Sequence, residues 1–198
     1  MTSLKYLEPN NIILIGASTG GPSLIQKIIS NLPQLGDVSI VIAQHMSEGF
    51  IYSFVKRLKE LSKNKVDVID DGMALLGGGI YFCNKNTRVY EARDGLKFSV
   101  DELPSTFSYN PNISNAFSSF APLTSKKNIT AFILTGIGDD GINGAKELCM
   151  SGAKIITQTQ ECAVVDGMPS RARENIGKIK ICSTKEIEDI IMELVNNV

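Results

Sequence analysis

Continuous apolar runs alternate with helically spaced ones along most of the chain. Residues 11–15 form an apolar run that stops at Gly16, the pattern of a strand buried on both faces. Gly20 to Pro22 open a helix that carries Leu24, Ile25, Ile28, Ile29 and Leu32 on one face, and Pro33 marks its end. A second continuous run at 38–43 predicts another buried strand. Ser47 is placed to cap a helix with Phe50, Ile51, Phe54, Val55, Leu58 and Leu61 on one face. Two buried strands joined by a helix make a βαβ unit, so a parallel sheet with a right-handed crossover is expected.

The pattern changes after residue 76. Three short strands are expected at 80–83, 87–92 and 96–100, with a turn at 84–86 and a hairpin signal at Asp94-Gly95. They read as an antiparallel meander inserted on the sheet. Residues 108–114 are polar and irregular, and a helix is expected at 113–120. Parallel character returns with strands at 129–134, 153–157 and 178–182. Helices are expected at 142–150, with Gly152 as its C-cap residue, at 167–175 after a loop at 162–165, and at 184–196. The last shows Ile187, Ile190, Ile191, Leu194 and Val195 on one face, as an amphipathic helix docked on the domain would. No repeat, low-complexity tract or linker interrupts the series. Residues 1–10 read as a short extension and 11–198 as one domain.

Composition narrows the function. The 198 residues include 20 Lys+Arg and 21 Asp+Glu, a formal net charge of -1, which argues against nucleic acid as main partner and against attraction to anionic membranes. Residues 1–10 have no apolar core or small-residue cleavage site, and no apolar run is long enough to span a bilayer. A cytoplasmic protein is expected. Cys83, Cys149, Cys162 and Cys182 lack CxxC pairing and lie far from the single histidine, so a zinc site is not expected and reduced, buried thiols are. An enzyme that depends on histidine has one candidate here.

Polar residues at the carboxyl ends of the strands are the first place to look for chemistry in an open α/β sheet. Gly16-Ala17-Ser18-Thr19-Gly20 contains G-x-S-x-G, in which flanking glycines allow a sharp strand-to-helix turn that exposes a nucleophilic serine. A phosphate-binding turn or a plain tight turn fits the same residues. The G-x-G-x-x-G spacing of dinucleotide sites and the Lys-Ser/Thr of a P-loop are both absent. His45 follows the second strand and could serve as general base, or could be satisfied by a backbone carbonyl. Thr135-Gly136-Ile137-Gly138-Asp139-Asp140-Gly141 follows a later strand. An Asp there could orient the imidazole, cap the next helix, or bind magnesium with its neighbour. The order Ser…His…Asp excludes an ordinary α/β-hydrolase triad, which runs Ser…Asp/Glu…His.

GASTGGP, IAQHM, LTGIGDDG and CAVVDGMP together resemble the catalytic domain of the CheB protein-glutamate methylesterases, from about Asn11 to near the C-terminus. The resemblance implies a doubly wound α/β fold, with a mainly parallel sheet flanked by helices and an inserted antiparallel hairpin. By motif it implies Ser18 as nucleophile, His45 as general base and Asp140, immediately before Gly141, as orienting acid. Thr19 and the backbone near Ile137 are implied to border the site, and Ile137 stands where the family commonly has Met. The implied substrates are glutamate methyl esters in the cytoplasmic region of chemoreceptors, with glutamine deamidation a further family activity. Neither metal nor organic cofactor is implied. Two departures stand out. Residues 110–117 read NPNISNAF where members carry a segment resembling RPSVDVLF, and too few residues precede the first strand for the family's receiver domain.

Overall fold

The computed structural model describes residues 8–102 and 109–196. Residues 1–7 of the expected extension, and Ser108 of the irregular segment, lie outside them.

Seven strands form one parallel sheet: β1 (Asn11–Ala17), β2 (Val38–Gln44), β3 (Lys65–Val68), β4 (Gly79–Phe82), then, further along the chain, β7 (Asn128–Ile133), β8 (Lys154–Gln158) and β9 (Ile179–Cys182). Their order across the sheet is β3-β4-β2-β1-β7-β8-β9. The remaining pair, β5 (Asn86–Ala92) and β6 (Gly95–Asp101), is an antiparallel hairpin. The chain therefore winds outward from β1 in one direction, then returns to its other side through β7. That reversal leaves a crevice at the carboxyl ends of the central strands.

The helices are α1 (Gly21–Asn31), α2 (Glu48–Leu61), α3 (Ile113–Phe120), α4 (Ile142–Met150), α5 (Gly167–Asn175) and α6 (Thr184–Asn196). They cover both faces, and the sheet residues divide between two cores accordingly. Ile13 and Ile15 of β1 pack with Ile25 and Ile29 of α1, Val55 and Leu58 of α2, and Ile187 and Ile191 of α6. Ile12 and Leu14 pack with Phe117 and Phe120 of α3, Ala145 and Leu148 of α4, and Phe98 of the hairpin. Burial on both faces is why the central strands read as unbroken apolar runs rather than alternating ones. The outermost strands, β3 and β9, are four residues each and carry exposed Lys65 and Lys180.

Three expectations change. Residues 80–83 do not belong to an antiparallel meander: β4 is a parallel strand between β2 and β3, and only β5 and β6 pair antiparallel. β3 was not anticipated, because its KVDV alternates on an edge and shows no apolar run. Ser47 stands at the N-cap of α2 but makes no side-chain cap hydrogen bond, and Phe50 is 70% exposed rather than on the buried face with Ile51, Val55 and Leu58. Of the cysteines, Cys83 and Cys182 are buried and Cys149 and Cys162 half-buried, and all four are free.

Helices α3 and α4 approach unusually closely. A Cβ placed on Gly144 would lie 2.3 Å from the Ser114 carbonyl oxygen and 2.8 Å from Phe117 Cβ. Gly144→Ala sets a gain in helix propensity of roughly 1 kcal/mol against backbone overpacking. Overpacking wins, because the atom met is a carbonyl oxygen rather than a flexible side chain. The expected result is a net loss of up to about 2 kcal/mol in urea denaturation, and an unchanged or raised midpoint would refute the close contact.

Candidate active site

The sheet itself aligns the residues singled out by sequence. Ala17 pairs with Gln44, so Ser18 and His45 are the next residues out on adjacent strands. The His45 N–H donates to Ala17 O at 2.9 Å, and the Ser18 N–H donates across to Thr135 O at 2.9 Å. His45, Ser18 and Thr135 thus form a row at the carboxyl edge of β2, β1 and β7, with strand spacings of about 4.8 Å. Ser18 is half-buried at the start of the turn into α1. Gly20 takes a left-handed conformation there, with φ 85°, which an L side chain adopts only at a cost.

Asp140 reaches the row from the loop between β7 and α4. It is 6% exposed, and its Oδ2 accepts a hydrogen bond from His45 Nε2 at 2.8 Å. Oδ2 also accepts from the Ile113 N–H at 2.8 Å; Oδ1 accepts from the N–H groups of Ser114 at 3.0 Å and Gly141 at 2.8 Å. Ile113 and Ser114 open α3, so the carboxylate sits at that helix's positive end. Burial pushes the Asp140 pKa up, but the His45 hydrogen bond and the N–H groups of Ile113 and Ser114 outweigh it and hold the carboxyl below its ordinary value. An ionised carboxylate only accepts, so the hydrogen between the pair belongs to His45 Nε2, and in the neutral imidazole Nδ1 carries the free lone pair.

Glycines make this geometry possible. Ile113 Cγ2 would stand 2.7 Å from a Cβ on Gly16 and 2.8 Å from one on Gly141. The first residue of α3 therefore nests between β1 and the β7–α4 loop, which carries its N–H to Asp140. Gly136 meets Ser18 directly: a Cβ there would be 2.6 Å from Ser18 Cβ.

The alternatives for the acidic pair are resolved in part. The N-cap of α4 is Gly141, and neither Asp139 nor Asp140 caps that helix; Asp140 serves the start of α3 instead. Asp139 is exposed. Among the described residues no group of three or more His, Cys, Asp or Glu could hold a metal ion, and both Asp140 oxygens are taken by N–H donors. Thr19 is exposed beside Ser18, and Ile137 is 62% exposed on the β7–α4 loop. Among the described residues, none is hydrogen-bonded to the Ser18 hydroxyl. Contacts between a nucleophile and its base are often loose before substrate binds.

Further residues hold the site without having been anticipated. Gln44, buried at the end of β2, donates through its amide to Ser18 O at 2.9 Å and His45 O at 3.0 Å. Thr135 Oγ donates to Thr19 O at 2.8 Å and accepts from the Val165 N–H at 2.9 Å. Gln158, buried at the end of β8, accepts from the Thr135 N–H at 2.7 Å. Each is a buried polar residue closing an apolar strand, a signal visible in sequence. Tyr109, whose ring lies on that of His45, falls in the irregular segment and gave no such signal.

A family model described as CheB methylesterase matches residues 13–191. The protein-glutamate methylesterase/protein-glutamine glutaminase of Bacillus subtilis (strain 168) is 36% identical over 188 residues, which cover 93% of this chain and 52% of that protein. Protein-glutamate methylesterase/protein-glutamine glutaminase 2 of Carboxydothermus hydrogenoformans is 37% identical over 207 residues, covering 98% and 54%. The chain spans about half the length of these curated relatives. The crystal structure of the Thermotoga maritima CheB methylesterase catalytic domain superposes with a TM-score of 0.84 at 30% identity, covering 94% of this chain and 99% of that one. With its sheet order, its strand-end row and these matches taken together, the chain belongs to the CheB methylesterase family.

Proposed function

We propose that the domain starting at Asn11 hydrolyses glutamate methyl esters on the cytoplasmic region of chemoreceptors, with Ser18, His45 and Asp140 as its catalytic triad. The observation that carries this reading is the 2.8 Å His45–Asp140 pair on the strand edge beside Ser18. The relatives' names supply the ester and amide substrates. A receptor substrate of this kind places the reaction in the cytoplasm; among the described residues no helix is long and apolar enough to cross a membrane.

In this mechanism the Ser18 Oγ attacks the ester carbonyl carbon as His45 Nδ1 takes its proton. The Asp140 carboxylate holds the Nε2 hydrogen and stabilises the imidazolium that forms. The N–H groups of Thr19 and Ile137, which donate to no other described residue, are assigned to the oxyanion. Collapse of the tetrahedral intermediate breaks the bond to the methoxy oxygen. That oxygen takes the proton from His45 and leaves as methanol. Water, deprotonated by the same nitrogen, then cleaves the acyl-enzyme and regenerates Ser18. With a side-chain amide the same path releases ammonia. The half-buried Ser18 suits a reacting group presented on a helix surface rather than one enclosed in a deep pocket.

Ser18→Ala and His45→Gln should each reduce methanol release from methylated receptor by about 10⁴-fold or more. Full activity in either variant would end the triad assignment. Turnover of small esters without any release from receptor would instead indicate a general esterase.

The pH dependence has a defined sign. kcat/KM should fall in a single step as acid protonates the proposed base, His45. No second step is expected at the ordinary aspartate pKa of about 3.9, because the Asp140 carboxyl ionises below its ordinary value. A rate independent of pH from neutral to strongly acidic solution would remove His45 as the base.

A further inference from the structure

Tyr109 lies flat against the His45 imidazole, with ring centroids 4.8 Å apart and planes 7° from parallel. The backbone ties the two sides together, since the Met46 N–H donates to Asn110 O at 3.0 Å. The β7–α4 loop is shaped around the same side chain: a Cβ on Gly138 would stand 2.4 Å from the Tyr109 hydroxyl oxygen. Three separate segments, those of His45, Tyr109 and Gly138, therefore meet in one stack.

The stack fills a gap left by the hydrogen bonds. Two side-chain torsions set where the imidazole of a histidine points. The bond from Nε2 to Asp140 fixes one ring atom and leaves the plane free to swing about it. A parallel aromatic face at this separation fixes the plane. Only with both constraints does Nδ1 keep a single direction. The tyrosine face also attracts the positive imidazolium formed after proton transfer.

We infer that Tyr109 is a positioning residue for the reaction: it holds the plane of the His45 ring so that Nδ1 faces the row containing Ser18. This rests on the reading of His45 as general base. Its segment serves the site twice, since residues four and five further on, Ile113 and Ser114, donate their N–H groups to Asp140. Tyr109 thus meets the imidazole immediately before the stretch in which the chain departs from the family pattern, and that stretch holds the carboxylate.

Tyr109→Phe keeps the ring, whereas Tyr109→Leu and Tyr109→Met keep bulk without it. The chain has one histidine, so the imidazole signals of the tag-free protein belong to His45. In the native protein and Tyr109→Phe, nuclear magnetic resonance should show hydrogen held on Nε2 and carbon-bound ring protons shifted upfield by the facing ring. In the aliphatic variants the upfield shift should vanish and spin relaxation should show a more mobile ring, while the hydrogen stays on Nε2, where Asp140 holds it. Methanol release should fall about tenfold in kcat in those variants with KM within about twofold, while Tyr109→Phe stays within about twofold of the native rate. Using two aliphatic replacements guards against one that does not fold. An aliphatic variant with native kcat overturns the inference, as does one whose imidazole is no more mobile than in the native protein. A Tyr109→Phe protein that behaves like them also overturns it, by assigning the effect to the hydroxyl. If the native protein releases no methanol from receptor, the proposed substrate fails, and the ring-motion measurement still decides the role of Tyr109.

Discussion

The site depends on one buried negative charge. Taking a carboxylate out of water is costly, and it stays ionised only where donors replace the solvent. Asp140 has them: the first two N–H groups of α3, the N–H of Gly141 and the ring of His45. These donors come from three different stretches of chain, so the carboxylate joins them. It fixes where α3 begins, how the β7–α4 loop turns, and which nitrogen of His45 carries hydrogen. The close packing of Gly144 against Ser114 and the nesting of Ile113 between Gly16 and Gly141 are what this junction requires of its surroundings.

The parallel sheet makes a different contribution. It supplies no charge, but its register brings residues 45, 18 and 135 into one row although they are far apart in sequence. Buried amides then lock the ends of the strands. Gln44 bridges the carbonyls of Ser18 and His45, and Gln158 takes the N–H of Thr135. Each satisfies backbone groups that would be stranded where the ladder stops. Ser18 and His45 are thus carried by regular structure and Asp140 by a loop–helix corner.

Much of this was legible in the amino-acid sequence, for identifiable reasons. The runs at β1, β2 and β7 are apolar on both faces, and such runs mark themselves. Ser18, His45 and Asp140 each follow one of them, which brought them forward before any geometry was known. What escaped notice depends on contacts between distant residues. The short β3 alternates on an edge and so lacks an apolar run, and β4 was assigned to the wrong pairing because a strand of four residues does not announce its partner. Asp140 was a plausible cap for its own helix, and only the fold shows that it serves the start of another. Tyr109 has no local pattern at all, since its role follows from the ring it meets.

The two supports of the site also differ in how they yield. Ser18 and His45 hang from adjacent central strands, the part of such a domain that opens last, whereas the Asp140 corner joins a loop to the ends of two short helices. Progressive loosening by heat or denaturant therefore detaches the carboxylate first. Ser18 and His45 would then remain side by side on an intact sheet with nothing to orient the imidazole, and the activity proposed for them would be lost while the core is still folded.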